Sequence, residues 1–176
     1  MNNIAVIPGS YDPISNGHIS IINAALEIFD QVIVAIGSNS RKKPFIPVED
    51  RIELINQLNF PKKIMVCSFD GLLSDFCKKC KATIIIRGLR SITDFEYELE
   101  VARVNADLNP KLQTIFIPAD PNISMVSSSV IKEICGNDGI IPEKYAPLCV
   151  VEYLNNRKKK MLDFLDEAER KFGVSF

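Results

Sequence analysis

Short runs of consecutive apolar residues alternate along the chain with stretches whose apolar positions recur at helical spacing. The runs are Ile4 to Ile7, Val32 to Ile36, Ile64 to Cys67, Thr83 to Ile86 and Thr114 to Ile117. Near-continuous apolar runs of this length suit strands buried on both faces of a parallel sheet. Between them, from about His18 to Phe29, Val48 to Leu58, Leu72 to Cys80 and Asp94 to Leu108, the pattern is amphipathic and predicts helices. Strands alternating with helices specify an α/β fold. Parallel strands need crossovers, which set helices on both faces of an open sheet.

After the fifth run, Val126-Ser127-Ser128-Ser129 precedes the periodic Val130, Ile131 and Ile134, which predicts a further helix with serine at its start. From Pro142 onward the pattern is helical through Val150, Val151 and Leu154, then Met161, Phe164 and Leu165. The expected organisation is one domain over residues 1–176, with a core of 1–154 and a helical C-terminal extension of 155–176. That extension carries Met161, Leu162, Phe164, Leu165 and Phe172 among charges. It is expected to pack on its own or a neighbouring subunit, and deletion after Asn156 is expected to leave the chemistry intact.

Composition narrows the partners. Across 176 residues, 21 Lys and Arg nearly balance 22 Asp and Glu. No global basic field argues for nucleic acid, so any phosphate recognition must be local. Arg157-Lys158-Lys159-Lys160 reads as a solvated face or a helix junction. Met1-Asn2-Asn3 leads into the first strand with no basic or long apolar leader, and no apolar segment reaches the ~20 residues of a membrane span. A cytoplasmic protein with no membrane partner is expected. Five cysteines without a secretory signal suit free thiols. Cys77-Lys78-Lys79-Cys80 has the form of a metal or redox pair, but no second pair follows; with Leu72, Leu73 and Phe76 it falls on one helical face as small core residues.

In open parallel sheets ligands bind beyond the carboxyl ends of strands, where strand order reverses. Two segments with unusual chemistry lie at such ends. One is Gly9-Ser10-Tyr11-Asp12-Pro13-Ile14-Ser15-Asn16-Gly17-His18, which contains the single histidine. The other, Arg87-Gly88-Leu89-Arg90, follows the fourth strand. Periodicity leaves the strand order open, but the order 3-2-1-4-5 would bring the two segments into one crevice. No Walker A sequence is present and the first turn does not read GxGxxG. Phosphate must be met by another set of backbone N–H groups, cations and a donor side chain. A histidine at a helix start is held neutral by the dipole unless an anion restores its charge.

The segments Pro8 to Pro13 with Asn16-Gly17-His18, Ile86 to Arg90, Asp94-Phe95-Glu96-Tyr97-Glu98 and Val126 to Ser129, in this order, closely resemble the bacterial phosphopantetheine adenylyltransferase family. The resemblance runs to about Leu154, and its arginine block with Asp-Phe-Glu-Tyr-Glu is the more specific part. It implies a Rossmann-like sheet of order 3-2-1-4-5 and a homohexamer built of two trimers. The implied reaction transfers AMP from ATP to 4′-phosphopantetheine with Mg²⁺, releasing pyrophosphate and dephospho-coenzyme A. On the same resemblance, Ser10 and His18 touch the reacting α-phosphate, Lys42 and Arg87 hold the acceptor phosphate, and Leu73 contacts the pantetheine arm. Tyr11, Gly88, Leu89, Arg90, Glu98 and the segment Ile123, Ser124, Met125, Val126, Ser127, Ser128 and Ser129 are assigned to ATP. Ser10 and Tyr11 stand where Thr and Phe are commoner, and Ile123 where Trp is frequent. The alternatives are a transferase with nicotinamide mononucleotide or glycerol 3-phosphate as acceptor, and a non-catalytic nucleotide-binding regulator. A tRNA synthetase is not expected, because the chain has no room for an anticodon-binding domain.

Overall fold

The computed structural model describes residues 4–38, 43–123 and 126–172, with side chains to 164. Five strands, β1 (Ile4–Gly9), β2 (Gln31–Gly37), β3 (Ile64–Phe69), β4 (Ile84–Leu89) and β5 (Gln113–Pro118), form one sheet of order β3-β2-β1-β4-β5. Every pairing is parallel. The helices are α1 (Asn16–Ile28), α2 (Val48–Asn56), α3 (Leu73–Lys79), α4 (Ile92–Leu108), α5 (Ser128–Gly136) and α6 (Leu148–Phe172). Both the α/β class and the strand order match the expectation.

Alternation along the central strands builds two cores. Ala5 and Ile7 of β1, Val32, Val34 and Ile36 of β2 and Ile86 of β4 face a core shared with Ile22 and Leu26 of α1, Ile55 of α2, Ile131 of α5 and Val150 and Leu154 of α6. Val6, Ile33, Ala35 and Ile85 point the other way, onto Cys77 of α3, Ala82 and Leu112. Side-chain period two sends successive residues to opposite faces, so strands covered on both sides must be apolar throughout. Each fully buried isoleucine, such as Ile22 or Ile36, contributes roughly 1.5–3 kcal/mol by leaving water.

Three local readings change. β4 does not stop at Ile86: Arg87, Gly88 and Leu89 remain in register with Phe116, Ile117 and Pro118 of β5. The arginine block is therefore the carboxyl end of the strand, with Arg90 just beyond it. The stretch from Pro142 is not helical until Leu148; it turns, and Asn16 binds it through its backbone N–H to the Tyr145 carbonyl at 3.0 Å and its side-chain amide to the Glu143 carbonyl at 2.9 Å. Of the two readings of the basic run 157–160, the helix junction falls, since the run lies inside α6, while Arg157, Lys159 and Lys160 are exposed as a solvated face. Two of its members turn back onto the body: Lys158 pairs with Asp138 at 2.6 Å, and Arg157 donates to the Phe45 carbonyl.

All five cysteines are free. Cys77 is fully buried, and burial pushes its thiol up to about 12. Cys80, half-buried, donates to the Phe76 carbonyl one helical turn back. The pair fills core space, as its helical spacing predicts.

Candidate active site

The carboxyl ends of β1 and β4 are adjacent because these strands pair in the sheet. Between them and the start of α1 opens a cleft of about 250 Å³ whose lining includes Ser10, Tyr11, His18, Arg87, Gly88 and Arg90. The two chemically unusual segments converge as the strand order requires.

The turn after β1 is shaped by Tyr11, which sits in the left-handed region at φ 48°. A non-glycine residue there is disfavoured and needs support from its surroundings. Its ring is buried, its hydroxyl donates to the Ile7 carbonyl at 2.8 Å, and burial raises its pKa further above the ordinary value. Tyr11 thus forms the wall against which His18 leans, ring centroids 5.0 Å apart. Ser10, one residue earlier, is exposed to the cleft, and Arg51 of α2 donates Nη1 to its carbonyl at 2.6 Å.

His18 occupies the third position of α1 and reaches back to the helix cap. Nδ1 accepts the Ser15 backbone N–H at 3.0 Å and lies 2.9 Å from the Ser15 hydroxyl. An amide N–H can only donate, so Nδ1 carries no proton and the neutral ring keeps its hydrogen on Nε2. Burial, then the charges of Arg90 and Arg87, lowers the pKa of His18 to about 4. The site therefore presents a neutral imidazole donor.

Arg87 is built into the wall by three hydrogen bonds. Nε donates to Glu98 Oε2 at 2.7 Å, Nη2 donates to Glu98 Oε1, and Nη1 donates to the Pro8 carbonyl at 2.6 Å. A guanidinium has five N–H donors, so two remain for a ligand. Burial pulls its pKa down, but the bond and charge of Glu98 outweigh that and raise it. Glu98, assigned to the nucleotide by resemblance, spends both oxygens on Arg87 and is only 8 % exposed. On the far side of this pair an apolar pocket is lined by Leu73, Ile85, Tyr97, Val101 and Asn105. Leu73 is thus separated from His18 by the Arg87–Glu98 pair and belongs to a neighbouring compartment.

The remaining assigned residues divide. A Cβ on Gly88 would lie 2.9 Å from Cγ1 of Ile21, so the absence of a side chain there admits α1 at a point where both residues line the cleft. A Cβ on Gly17 would lie 3.2 Å from the Val126 carbonyl, which sets the segment before α5 against the start of α1. Leu89 accepts from the Ala119 N–H at 2.7 Å and does not line the cleft. Ser127 is the cap of α5, its hydroxyl accepting from the Val130 N–H at 3.2 Å. The Ser128 hydroxyl donates to the Pro13 carbonyl at 2.8 Å, and Ser129 is exposed. Ile123 is half-buried and Val126 buried in the larger core. Lys42, Ser124 and Met125 lie outside the described residues.

Three residues that sequence reasoning left without a role complete the surroundings: Asp12, Arg51 and Arg157. Asp12 accepts from the backbone N–H groups of Phe45 and Ile46 at 2.9 and 2.7 Å. Arg51 shares the i, i+3, i+4 stripe with Leu54 and Ile55, all three buried. An arginine on the core-facing stripe was the available signal for it.

Residues 6–134 match the family model described as cytidylyltransferase-like. Phosphopantetheine adenylyltransferase of Vesicomyosocius okutanii is 43 % identical over 158 residues, 89 % of this chain and 99 % of that protein. The chain belongs to the phosphopantetheine adenylyltransferase family. The protein of that name from Caldanaerobacter subterraneus is 42 % identical over 159 residues, covering 89 % of this chain and 98 % of its own length. Among solved structures, a bifunctional NMN adenylyltransferase/ADP ribose pyrophosphatase from Francisella tularensis shares the fold with a TM-score of 0.67 at 16 % identity, over 100 % of this chain and 58 % of that one. Within the family the cleft between β1 and β4 is the candidate active site.

Proposed function

We propose that the chain transfers the adenylyl group of ATP to 4′-phosphopantetheine, giving dephospho-coenzyme A and pyrophosphate. The observation that carries this reading is the convergence of Ser10, His18, Arg87 and Arg90 on one cleft in a chain of this family. The acceptor phosphate is already a nucleophile near neutral pH, so the step needs no general base. Its oxygen attacks the α-phosphorus in line, the bond from α-phosphorus to the bridging oxygen breaks, and pyrophosphate departs with the electron pair. The protein's work is to bring two anions together and to meet the charge that develops. His18 donates from Nε2 to the α-phosphate, Ser10 supplies a hydroxyl, and the free N–H groups of Arg87 face the acceptor phosphate together with Lys42. Arg90, beyond the end of β4, is placed for the nucleotide, with the backbone N–H groups at the start of α5 for its outer phosphates.

Mg²⁺ prefers oxygen ligands, keeps several waters and is commonly held by one or two carboxylates with substrate phosphates. Among the described residues no group of three or more His, Cys, Asp or Glu is placed to hold a metal, while Asp94 lines the cleft. That donor set fits a metal carried in by the triphosphate. When bound, it would neutralise charge on the leaving pyrophosphate.

The functional unit is taken as one nucleotidyltransferase domain, 1–176, working in the cytoplasm as a homohexamer. Support for self-association comes from α4, where Ile92, Tyr97 and Val104 are 80, 65 and 56 % exposed. No helix among the described residues is long and apolar enough to cross a membrane. The test is pyrophosphate release with ATP, Mg²⁺ and each acceptor in turn. Release with 4′-phosphopantetheine supports the assignment. Release only with nicotinamide mononucleotide or glycerol 3-phosphate moves the acceptor, and release with none favours a regulator.

A further inference from the structure

β1 stays paired with β2 as far as Gly9 but with β4 only to Val6. The sheet parts beyond Val6, and the reaction cleft opens on the β4 side of the turn at Ser10 and Tyr11. On the other side stands α2, which joins β2 to β3. From it Arg51 donates Nη1 to the Ser10 carbonyl at 2.6 Å. A trans peptide is planar, so its carbonyl and its N–H point in opposite directions. Holding the Ser10 carbonyl toward α2 therefore turns the Tyr11 N–H toward the cleft. That N–H has no hydrogen-bond partner among the described residues, although Tyr11 is buried. Buried backbone donors are nearly always paired, and one left open beside the cleft is available to a ligand.

This peptide is held against a cost. Tyr11 has φ 48°, which is disfavoured for a residue with a side chain. Rotating the Ser10–Tyr11 peptide changes ψ of Ser10 and φ of Tyr11 together. A flip would thus carry Tyr11 out of the left-handed region and its N–H out of the cleft, and the bond from Arg51 opposes it. Asp12 pins the next stretch by accepting the N–H groups of Phe45 and Ile46, so the turn cannot relax by shifting as a whole. Arg51 is itself costly. It is buried, forms no ion pair among the described residues, and its Nε has no partner. Buried charges are ordinarily paired, so stability of the fold does not account for a guanidinium at this position.

We propose that Arg51 is a positioning residue for adenylyl transfer, holding the Ser10–Tyr11 peptide so that the Tyr11 N–H donates to the reacting phosphate beside His18. The proposal rests on the transferase reading above. Arg51 touches neither substrate in this role; it acts through one backbone carbonyl. Tyr11 then serves the site twice, meeting the nucleotide through its N–H and supporting His18 through its ring. Ser10 is exposed, so water can take over its carbonyl when Arg51 is replaced, and what is lost is the direction of the peptide.

The test uses the full chain with Arg51→Met and Arg51→Lys. Methionine keeps an apolar stem and removes a buried charge that no carboxylate balances, so Tm should hold or rise. In the same variant kcat should fall about 10²-fold, the usual cost of one donor to a developing oxyanion, with each KM within three-fold. Arg51→Lys keeps a donor for the carbonyl and should recover part of kcat. A residue that only stabilised the fold would lower Tm and leave kcat near native. The readout independent of turnover is the ¹H–¹⁵N signal of the Tyr11 amide, titrated with α,β-methylene-ATP. It should move downfield in the native chain and keep its free position in Arg51→Met; if that variant does not fold, Arg51→Lys takes its place, with a weakened response expected. A native amide that ignores the analogue overturns the proposal, as does a variant with native kcat or an unaltered amide response. If the native chain releases no pyrophosphate with any acceptor, the transferase reading falls by itself, and the amide response alone then upholds or overturns the role of Arg51.

Discussion

His18 is the single histidine of the chain, so its ring can be titrated with no ambiguity of assignment. Protonating Nδ1 would set two donors against each other, since the Ser15 N–H already points at it from 3.0 Å. It would also place a cation near Arg90 and Arg87 in a half-buried site. Burial, with the two arginines adding to it, lowers the pKa to about 4 from the ordinary 6.5. At pH 6 about one ring in a hundred is then charged, against roughly three in four for a free histidine. The measurement is imidazole ¹⁵N and ¹H NMR of the free chain between pH 8 and 4.5. The expected result is a ring protonated at Nε2, with no more than the beginning of a transition at the acid end. Arg90→Gln should raise the midpoint while leaving it below 6.5, because burial is the larger cause. A midpoint at 6.5 or above in the free chain, or a proton on Nδ1, refutes both the tautomer argument and the neutral-donor role.

The same shift fixes the sign of a stability change. Between about pH 6.5 and 4 the unfolded chain binds a proton at this site that the folded chain does not, so stability from His18 rises with pH across that window. It is intact above 6.5, falls as the solution is acidified, and reaches a constant loss below about 4. Urea melts at pH 7 and pH 5 on the native chain and on His18→Gln isolate it, because only the former carries the added slope. A neutral donor also means that activity needs no imidazolium. His18 should impose no alkaline loss of kcat between pH 6 and 8.5, where a required cation would have imposed one.

His18→Ala should lower kcat by ~10²–10³, the usual cost of removing one donor to a developing oxyanion, with smaller changes in either KM; steady-state kinetics that show near-normal turnover remove His18 from the mechanism. Arg87→Lys should behave as a damaging change, since an ammonium cannot reproduce the paired contacts with Glu98 or the bond to Pro8; a loss of at least ten-fold in kcat/KM for the acceptor is expected. Gly88→Ala should destabilise by about 1–3 kcal/mol through the contact with Ile21, and combined with Ile21→Ala, which removes both Cγ1 and Cδ1, it should cost less than the sum of the two single losses; strict additivity disconnects the glycine from α1 packing. Ser127→Ala should cost about 1 kcal/mol as a lost helix cap with the KM for ATP changed less than three-fold, and a ten-fold rise would make its hydroxyl a ligand instead.

The sheet was legible because its strands are apolar on both faces, and the cleft because the chemistry of the two strand ends is unlike anything surface decoration would supply. The long-range contacts around it were not. Asp12–Phe45, Arg51–Ser10 and Arg157–Phe45 join positions 33, 41 and 112 apart, and no periodic pattern encodes which distant backbone group a charged side chain will satisfy. The helical pattern after Pro142 failed for a local reason: Pro142 and Pro147 bracket the turn, and proline opposes helix both at its own position and at the preceding one. Gly88 lines the cleft as its place at the strand end implies, and what the pattern does not show is that Ile21 of α1 takes up the space it leaves.

Glu98 shows how far the sequence alone could have gone. With Glu96 and Glu100 it reads as one charged patch, yet at 3.6 residues per turn a step of two rotates about 200° around the axis. Glu98 must then face away from both neighbours, and the structure has Glu96 and Glu100 exposed with Glu98 buried. A carboxylate directed inward cannot stay charged without a partner, and β4, packed beneath α4, ends in the arginine that supplies it. The pair in turn spends Glu98 on holding Arg87, which leaves the guanidinium's two remaining donors as the contribution to the cleft. The aim of the guanidinium into the cleft is therefore set from two sides, by Glu98 of α4 and by the Pro8 carbonyl of β1, and Glu98 belongs to the Asp94 to Glu98 segment on which the family resemblance rests.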